Sequence, residues 1–273
     1  SSIPDVIQEE KSSDVDNKPS RKGALHYPQL LLGMIGIFVY VGVEVSTASN
    51  LPEFMKQKCH VQTENVAPFV SLFWASLMVG RWTSSVGSFS FGDGMKKLLQ
   101  FVVPYLAFGF FLLVNKIANH DITPFYYYAF VILALIGCDI LSRGNPARQL
   151  LIFSLMGILA LFIGIFAQGM VAVYALISVG LFCSTLWPCI FTLSIAGLGR
   201  HTNQGSGFLI MMIMGGGLVS MLQGTLASDN YLGIQWSYLV GVACFAYLAF
   251  YAWKVKGILA TQGIDYDKQA AAH

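Results

Sequence analysis

The chain has 273 residues, of which 55% are hydrophobic, 14% aromatic and only 11% charged, with a formal net charge of +2. Soluble domains carry about 25% charged residues, so this chain lacks the polar groups to cover a water-facing surface, which argues against a soluble enzyme. The small charge, with no basic run among aromatics, speaks against nucleic acid as a partner, and the five scattered cysteines form neither a disulfide framework nor a zinc pattern. The composition is that of an all-α, polytopic membrane protein.

Residues 1–27 open the chain as a solvated arm or linker, rich in Ser, Asp, Glu and Lys and without the apolar core of a signal peptide. Eight segments then approach the ~20 apolar residues that a membrane span needs. The first, Tyr27–Phe54, carries Glu44 in mid-span, where an ionisable group costs ~2.5–3.5 kcal/mol and faces a bundle interior or wet cavity. At the helical repeat, Tyr40, Glu44 and Thr47 fall within one sector of ~60°. That stripe suits a polar ligand; the alternative is a protonated glutamic acid bonded between helices. Pro52, preceded by Ser46, Thr47, Ser49 and Asn50, either breaks this helix near the midplane or sits as an ordinary proline near its end.

The second span, Ala67–Val86, holds Trp74 at a depth that suits either packing or stacking on a sugar, and Arg81, which snorkels or caps the last carbonyls. Leu98–Asn115 and Pro124–Leu141 follow, the latter ending in Asp139 and Arg143, spaced as an i,i+4 pair. Gln149–Gln168 is the fifth span. The sixth, Val171–Leu198, contains Ser184, Thr185, Trp187 and Pro188, so a kink is expected, with Trp187 lining a cavity or filling the groove that the kink opens. Gly215, Gly216 and Gly217 mark close helix packing in the seventh, Gly207–Ala227. Ile234–Trp253 is the eighth, and 257–273 is a tail whose last residues, Gln269–His273, are native or added. Gln223 and Gln235 are weaker cavity candidates.

Eight spans put both termini on one side, together with thirteen of the sixteen Lys and Arg residues; only Lys56, Lys58 and Lys116 fall opposite. The positive-inside rule then makes the termini cytoplasmic. No histidine pair has ligand spacing, and no Ser-His-Asp set or phosphate-cradling glycine loop is present. No cofactor, metal or catalytic residue is expected.

Four stretches share a likeness: Tyr40–Pro52, Gly80-Arg81, Trp187–Gly199 and Gln204–Gly216. They resemble the fucose/glucose/galactose permease family of the major facilitator superfamily, in its glucose/galactose transporter branch. The resemblance covers nearly all of residues 28–256 and is to the C-terminal half only. It implies half of a sugar–proton symporter working by alternating access, with residues 1–27 as the cytoplasmic linker between halves and 98–141 as an inserted helix pair. It implies a hexose substrate, H+ as coupling ion, the N-terminal half of the same transporter and membrane lipid as partners, and the bacterial inner membrane as location. In relatives the carboxylates tied to proton coupling lie in the other half, which casts Glu44 as a sugar-binding group. Tyr40, Glu44, Thr47 and Asn50 are expected as hydrogen-bonding residues, with Trp74 and Trp187 as stacking or wall residues. Ser220, Met221 and Ser228 depart from the family pattern. Two rival readings are a non-transporting sensor or subunit module and an intramembrane enzyme using Glu44; the second lacks another ionisable residue at that depth.

Overall fold

The computed structural model describes residues 23–86, 92–264 and 266. Most of the 1–27 linker and the end of the tail therefore lie outside the described residues. The described chain is helical: α1 Pro28–Cys59, α2 Ala67–Ser85, α3 Asp93–Ile117, α4 Tyr128–Ser142, α5 Pro146–Phe166, α6 Gly169–Cys183, α7 Leu186–Ile195, α8 Thr202–Met211, α9 Gly215–Leu226, α10 Gly233–Ser237 and α11 Leu239–Thr261. Helix starts follow their sequence signals. Pro28, Pro68 and Pro146 occupy first-turn positions, where a missing N–H costs nothing. Asn145 caps α5 by accepting from the N–H groups of Ala147 and Arg148.

α1 runs unbroken through Pro52 and ends at His60, which takes the left-handed conformation at φ 53°. Pro52 removes the single bond to the Ala48 carbonyl. Around it, Leu51, Phe54 and Met55 are buried at 0%, 1% and 0% exposure, so packing holds the helix across the gap. The interruptions fall elsewhere. The sixth span divides at Ser184-Thr185 into α6 and α7, and the seventh divides at a 3-10 turn, Met212–Met214, into α8 and α9.

α1 is the central helix, packed against α6, α7, α9 and α11, while α5 joins α6 to α11 on the far side. α2 lies on α6, and α3 and α4 form an outer layer, α3 against α2 and α4 against α5. The α1–α9 contact is close because glycine makes it so. A Cβ on Gly215 would stand 2.1 Å from the Phe38 carbonyl oxygen, and one on Gly42 would stand 2.6 Å from a Val219 methyl.

At one end of the bundle Gln29 and Gln262 exchange side-chain hydrogen bonds of 3.0 Å each, and Gln29 also donates to the Ala196 carbonyl. There too Ala24 N–H donates to Gln204 Oε1 at 3.2 Å. Both termini of the described chain thus lie at the same end of the bundle. Among the described residues, seven helical segments are long and apolar enough to cross a membrane. α2 is not among them; its 19 residues carry Arg81, Trp74 and Trp82, which lower its hydropathy.

Candidate functional site

Tyr40, Glu44, Arg81 and Trp187 stand where α1, α2 and the α6–α7 break converge. On α1, Tyr40 and Glu44 are one helical turn apart, and the Tyr40 hydroxyl donates to Glu44 Oε2. Tyr40 is 2% exposed, so its phenol is fixed within the bundle, whereas Glu44 is half-buried and reaches the bundle face. The Trp187 ring, at the start of α7, lies 6.2 Å from the Tyr40 ring and stacks on Phe191 at 6.4 Å. Two aromatic rings therefore stand beside a carboxylate.

The α6–α7 break supplies the third part. Proline has no N–H for the carbonyl four residues back, so Pro188 leaves the Ser184 carbonyl without its helical partner. The Arg81 Nε donates to that oxygen at 3.4 Å. Gly80 makes the approach possible, since a Cβ there would stand 1.8 Å from Ser184 Oγ. The Arg81 side chain is exposed, and its charge reaches both Glu44 and Tyr40. A carboxylate, a phenol, an indole and a guanidinium thus share one region of an otherwise apolar bundle. Such a set can pair with hydroxyls as donor and acceptor and can stack on an apolar ring face.

Residue by residue, the structure places the expected groups differently. Tyr40, Glu44 and Trp187 come together. Thr47 shares their sector but is fully buried, and its hydroxyl has no partner among the described residues. Asn50 is 9% exposed and donates to the Ser46 carbonyl of its own helix at 2.8 Å. Trp74 is outside the group: it is 45% exposed and lines clefts between α2, α3 and the end of α1. Gln235 donates to the Ile165 carbonyl on α5, and Gln223 is buried with its amide 3.5 Å from Ser237 Oγ. The Asp139 carboxylate accepts from Gln100 at 3.2 Å, Gln149 at 3.3 Å and Ser84 at 3.4 Å, while Arg143 caps α4 in the left-handed region. Those bonds tie α4 to α2, α3 and α5 in place of the expected i,i+4 pair.

Arg81 is the member that sequence reasoning missed. The signal was present in two separated pieces, Gly80-Arg81 and Ser184…Pro188, and only the packing of α2 on α6 joins them. Among the described residues, no group of three or more His, Cys, Asp or Glu could hold a metal ion.

No family model matches the chain. It is 32% identical over 250 residues to a glucose/galactose transporter of Brucella abortus, covering 91% of this chain and 47% of that protein. A putative glucose/galactose transporter of Helicobacter pylori is 28% identical over 255 residues, covering 92% of this chain and 48% of the relative. The L-fucose-proton symporter of Escherichia coli is 35% identical over 116 residues, 42% of this chain and 26% of that one. Among solved structures, the outward conformation of the major facilitator superfamily transporter FucP matches with a TM-score of 0.60 at 22% identity, over 85% of this chain and 44% of FucP. The chain spans about half the length of the transporters it matches.

Proposed function

We propose that this chain, a homologue of the glucose/galactose transporters and of FucP with the fold of half of such a carrier, is the C-terminal bundle of a proton-coupled hexose symporter. The observation that carries the reading is the Tyr40–Glu44 pair with Trp187 and Arg81 around it, at membrane depth and opening on the bundle face. A hexose presents hydroxyls that must be paired when they leave water, and two flat faces of C–H groups. Glu44 accepts from hydroxyls, Tyr40 holds the carboxylate in place, and the Trp187 indole covers a ring face. Thr47 and Asn50, further along the same helix and buried, are the remaining hydrogen-bonding groups of this reading. Arg81 offsets the carboxylate's charge without touching it, parked on the Ser184 carbonyl.

The mechanism is alternating access, in which this bundle and a second one rock about the sugar. The coupling proton is carried in the second bundle, and Glu44 serves the sugar. α2 makes the eighth crossing: 19 residues rise about 28 Å, close to the ~30 Å hydrocarbon core. With eight crossings both termini face the cytoplasm of a bacterial inner membrane, the side that collects most Lys and Arg. α3 and α4 are the inserted pair, consistent with their place in the outer layer. The test is hexose uptake by the intact carrier bearing Glu44→Gln. Uptake is expected to fall further than membrane abundance; unchanged uptake kinetics would remove Glu44 from the site.

A further inference from the structure

The Asp139 carboxylate, 8% exposed near the end of α4, gathers side chains from three other helices. Gln100 of α3 donates to Oδ2 at 3.2 Å, while Ser84 of α2 and Gln149 of α5 donate to Oδ1 at 3.4 and 3.3 Å. The Gln149 amide also donates to Ser84 Oγ at 3.3 Å. On its other side Gln149 Oε1 accepts from the Cys189 thiol of α7 at 3.5 Å. An amide engaged through both its donors and its oxygen is held in one orientation, so α2, α4, α5 and α7 share a fixed register.

Two arms of this network end beside the guanidinium contact. Ser84 is three residues past Arg81 on α2, and Cys189 is five residues past Ser184, directly after Pro188. The Arg81 bond to the Ser184 carbonyl, at 3.4 Å, is long, and its two sides belong to different helices. The Asp139 network joins those same two sides about one turn further along, α2 through Ser84 and α7 through Cys189. Its carboxylate is the strong acceptor of the set, because hydrogen bonds to a charged group exceed those between neutral ones. Trp187 lies two residues before Cys189, so a shift of α7 moves the indole together with the Ser184 carbonyl.

We propose that Asp139 is a positioning residue for the Arg81–Ser184 contact, and that α3 and α4 serve the site from the outer layer by bringing Gln100 and Asp139 to it. Replacing the carboxylate frees the Gln149 amide, slackens both arms and lets Arg81 leave the Ser184 carbonyl. This role presumes the hexose site around Glu44 and Trp187, so it is read first by a chemical probe that needs no sugar.

The probe is a small membrane-permeant maleimide, applied to the intact carrier in proteoliposomes, with labelling followed peptide by peptide by mass spectrometry. Cys183, fully buried and next to Ser184, takes part in none of the bonds above. Asp139→Asn and Arg81→Gln should each speed its labelling by roughly fivefold, within the coupling found among residues of one network. The double variant should be no faster than Arg81→Gln alone. Ser84→Ala, which removes one arm at little cost to folding, should act in the same direction by less, and it decides alone if Asp139→Asn fails to reach the membrane. Gly215→Ala, which loosens the bundle at α1–α9, should leave Cys183 at the unaltered rate. In counterflow the hexose KM should rise in the order Ser84→Ala, Asp139→Asn, Arg81→Gln. Additive labelling in the double variant, equal exposure of Cys183 by Gly215→Ala, unchanged labelling in Asp139→Asn and Ser84→Ala, or an unchanged hexose KM in Asp139→Asn would overturn the role. The expected labelling pattern in a carrier that exchanges no hexose would leave the role standing and remove the sugar reading instead.

Discussion

A single carboxylate in mid-membrane organises the residue scale. Glu44 holds the Tyr40 hydroxyl and stands within reach of the Arg81 charge, so the pair is pre-set before any ligand arrives. Hydrogen bonds to charged groups contribute roughly 1.5–3 kcal/mol, and about 1.4 kcal/mol is tenfold in affinity. Glu44→Gln should therefore raise the hexose KM roughly tenfold or more in the intact carrier, measured by initial uptake rates. Tyr40→Phe frees the carboxylate to move and should raise KM less, by a few-fold. At Gly80 the expected loss is structural. Gly80→Val places a side chain on Ser184 Oγ, which a Cβ alone would approach to 1.8 Å. Overpacking costs about 1–3 kcal/mol, to be read as a lower melting temperature in detergent and reduced membrane abundance. Glu44 was legible in the sequence because an acid inside an apolar run is expensive and stands out. Arg81 was not, because a cation near a helix end looks like a snorkelling one until its acceptor is known. Trp74 could not be placed from sequence, since aromatic residues at membrane depth serve lipid-facing and cavity walls alike.

At the scale of helices, proline and glycine decide where the bundle bends and where it closes. Two prolines sat in polar contexts, Pro52 and Pro188, and the sequence offered a break at either. α1 continues through Pro52, while the sixth span divides four residues before Pro188. Tertiary packing made the difference: Leu51, Phe54 and Met55 are enclosed on every side, whereas Ser184 has an arginine to take its carbonyl. Pro188→Ala returns an N–H to Ser184 and removes the reason for Arg81 to be there. The variant should melt at a higher temperature yet transport more slowly; equal or faster uptake would show that the break plays no part in turnover. The glycine run gives a paired prediction. Gly215→Ala meets the Phe38 carbonyl oxygen at 2.1 Å, whereas Gly217→Ala meets nothing within 4 Å. The first should reduce thermal stability by about 1–3 kcal/mol, and the second should leave it unchanged or improve helix propensity. Among the described residues, seven of the eight expected spans are long and apolar enough to cross a membrane, and the second, α2, is not. The cuts within the sixth and seventh were not legible, because both halves of each are apolar.

At the scale of the molecule, the α1-centred bundle leaves one face with Glu44, Arg81 and Trp187 toward its surroundings. A hexose held by one wall alone would keep half its hydroxyls in need of partners, so the account requires a second bundle. The half-length match to glucose/galactose transporters and to FucP fits that requirement. The pairing of Gln29 with Gln262 and of Ala24 with Gln204 gathers the described ends at one end of the bundle. Composition alone had pointed to a membrane bundle. The partition into a central helix and an outer α3–α4 layer needed the packing. The measurement that bears most directly on the central claim is counterflow of labelled glucose and galactose in proteoliposomes holding the intact carrier, compared with its Glu44→Gln form. The account predicts saturable exchange for at least one hexose, reduced roughly tenfold or more by the substitution at equal protein content. No exchange of either hexose, or identical exchange in the two forms, would contradict it.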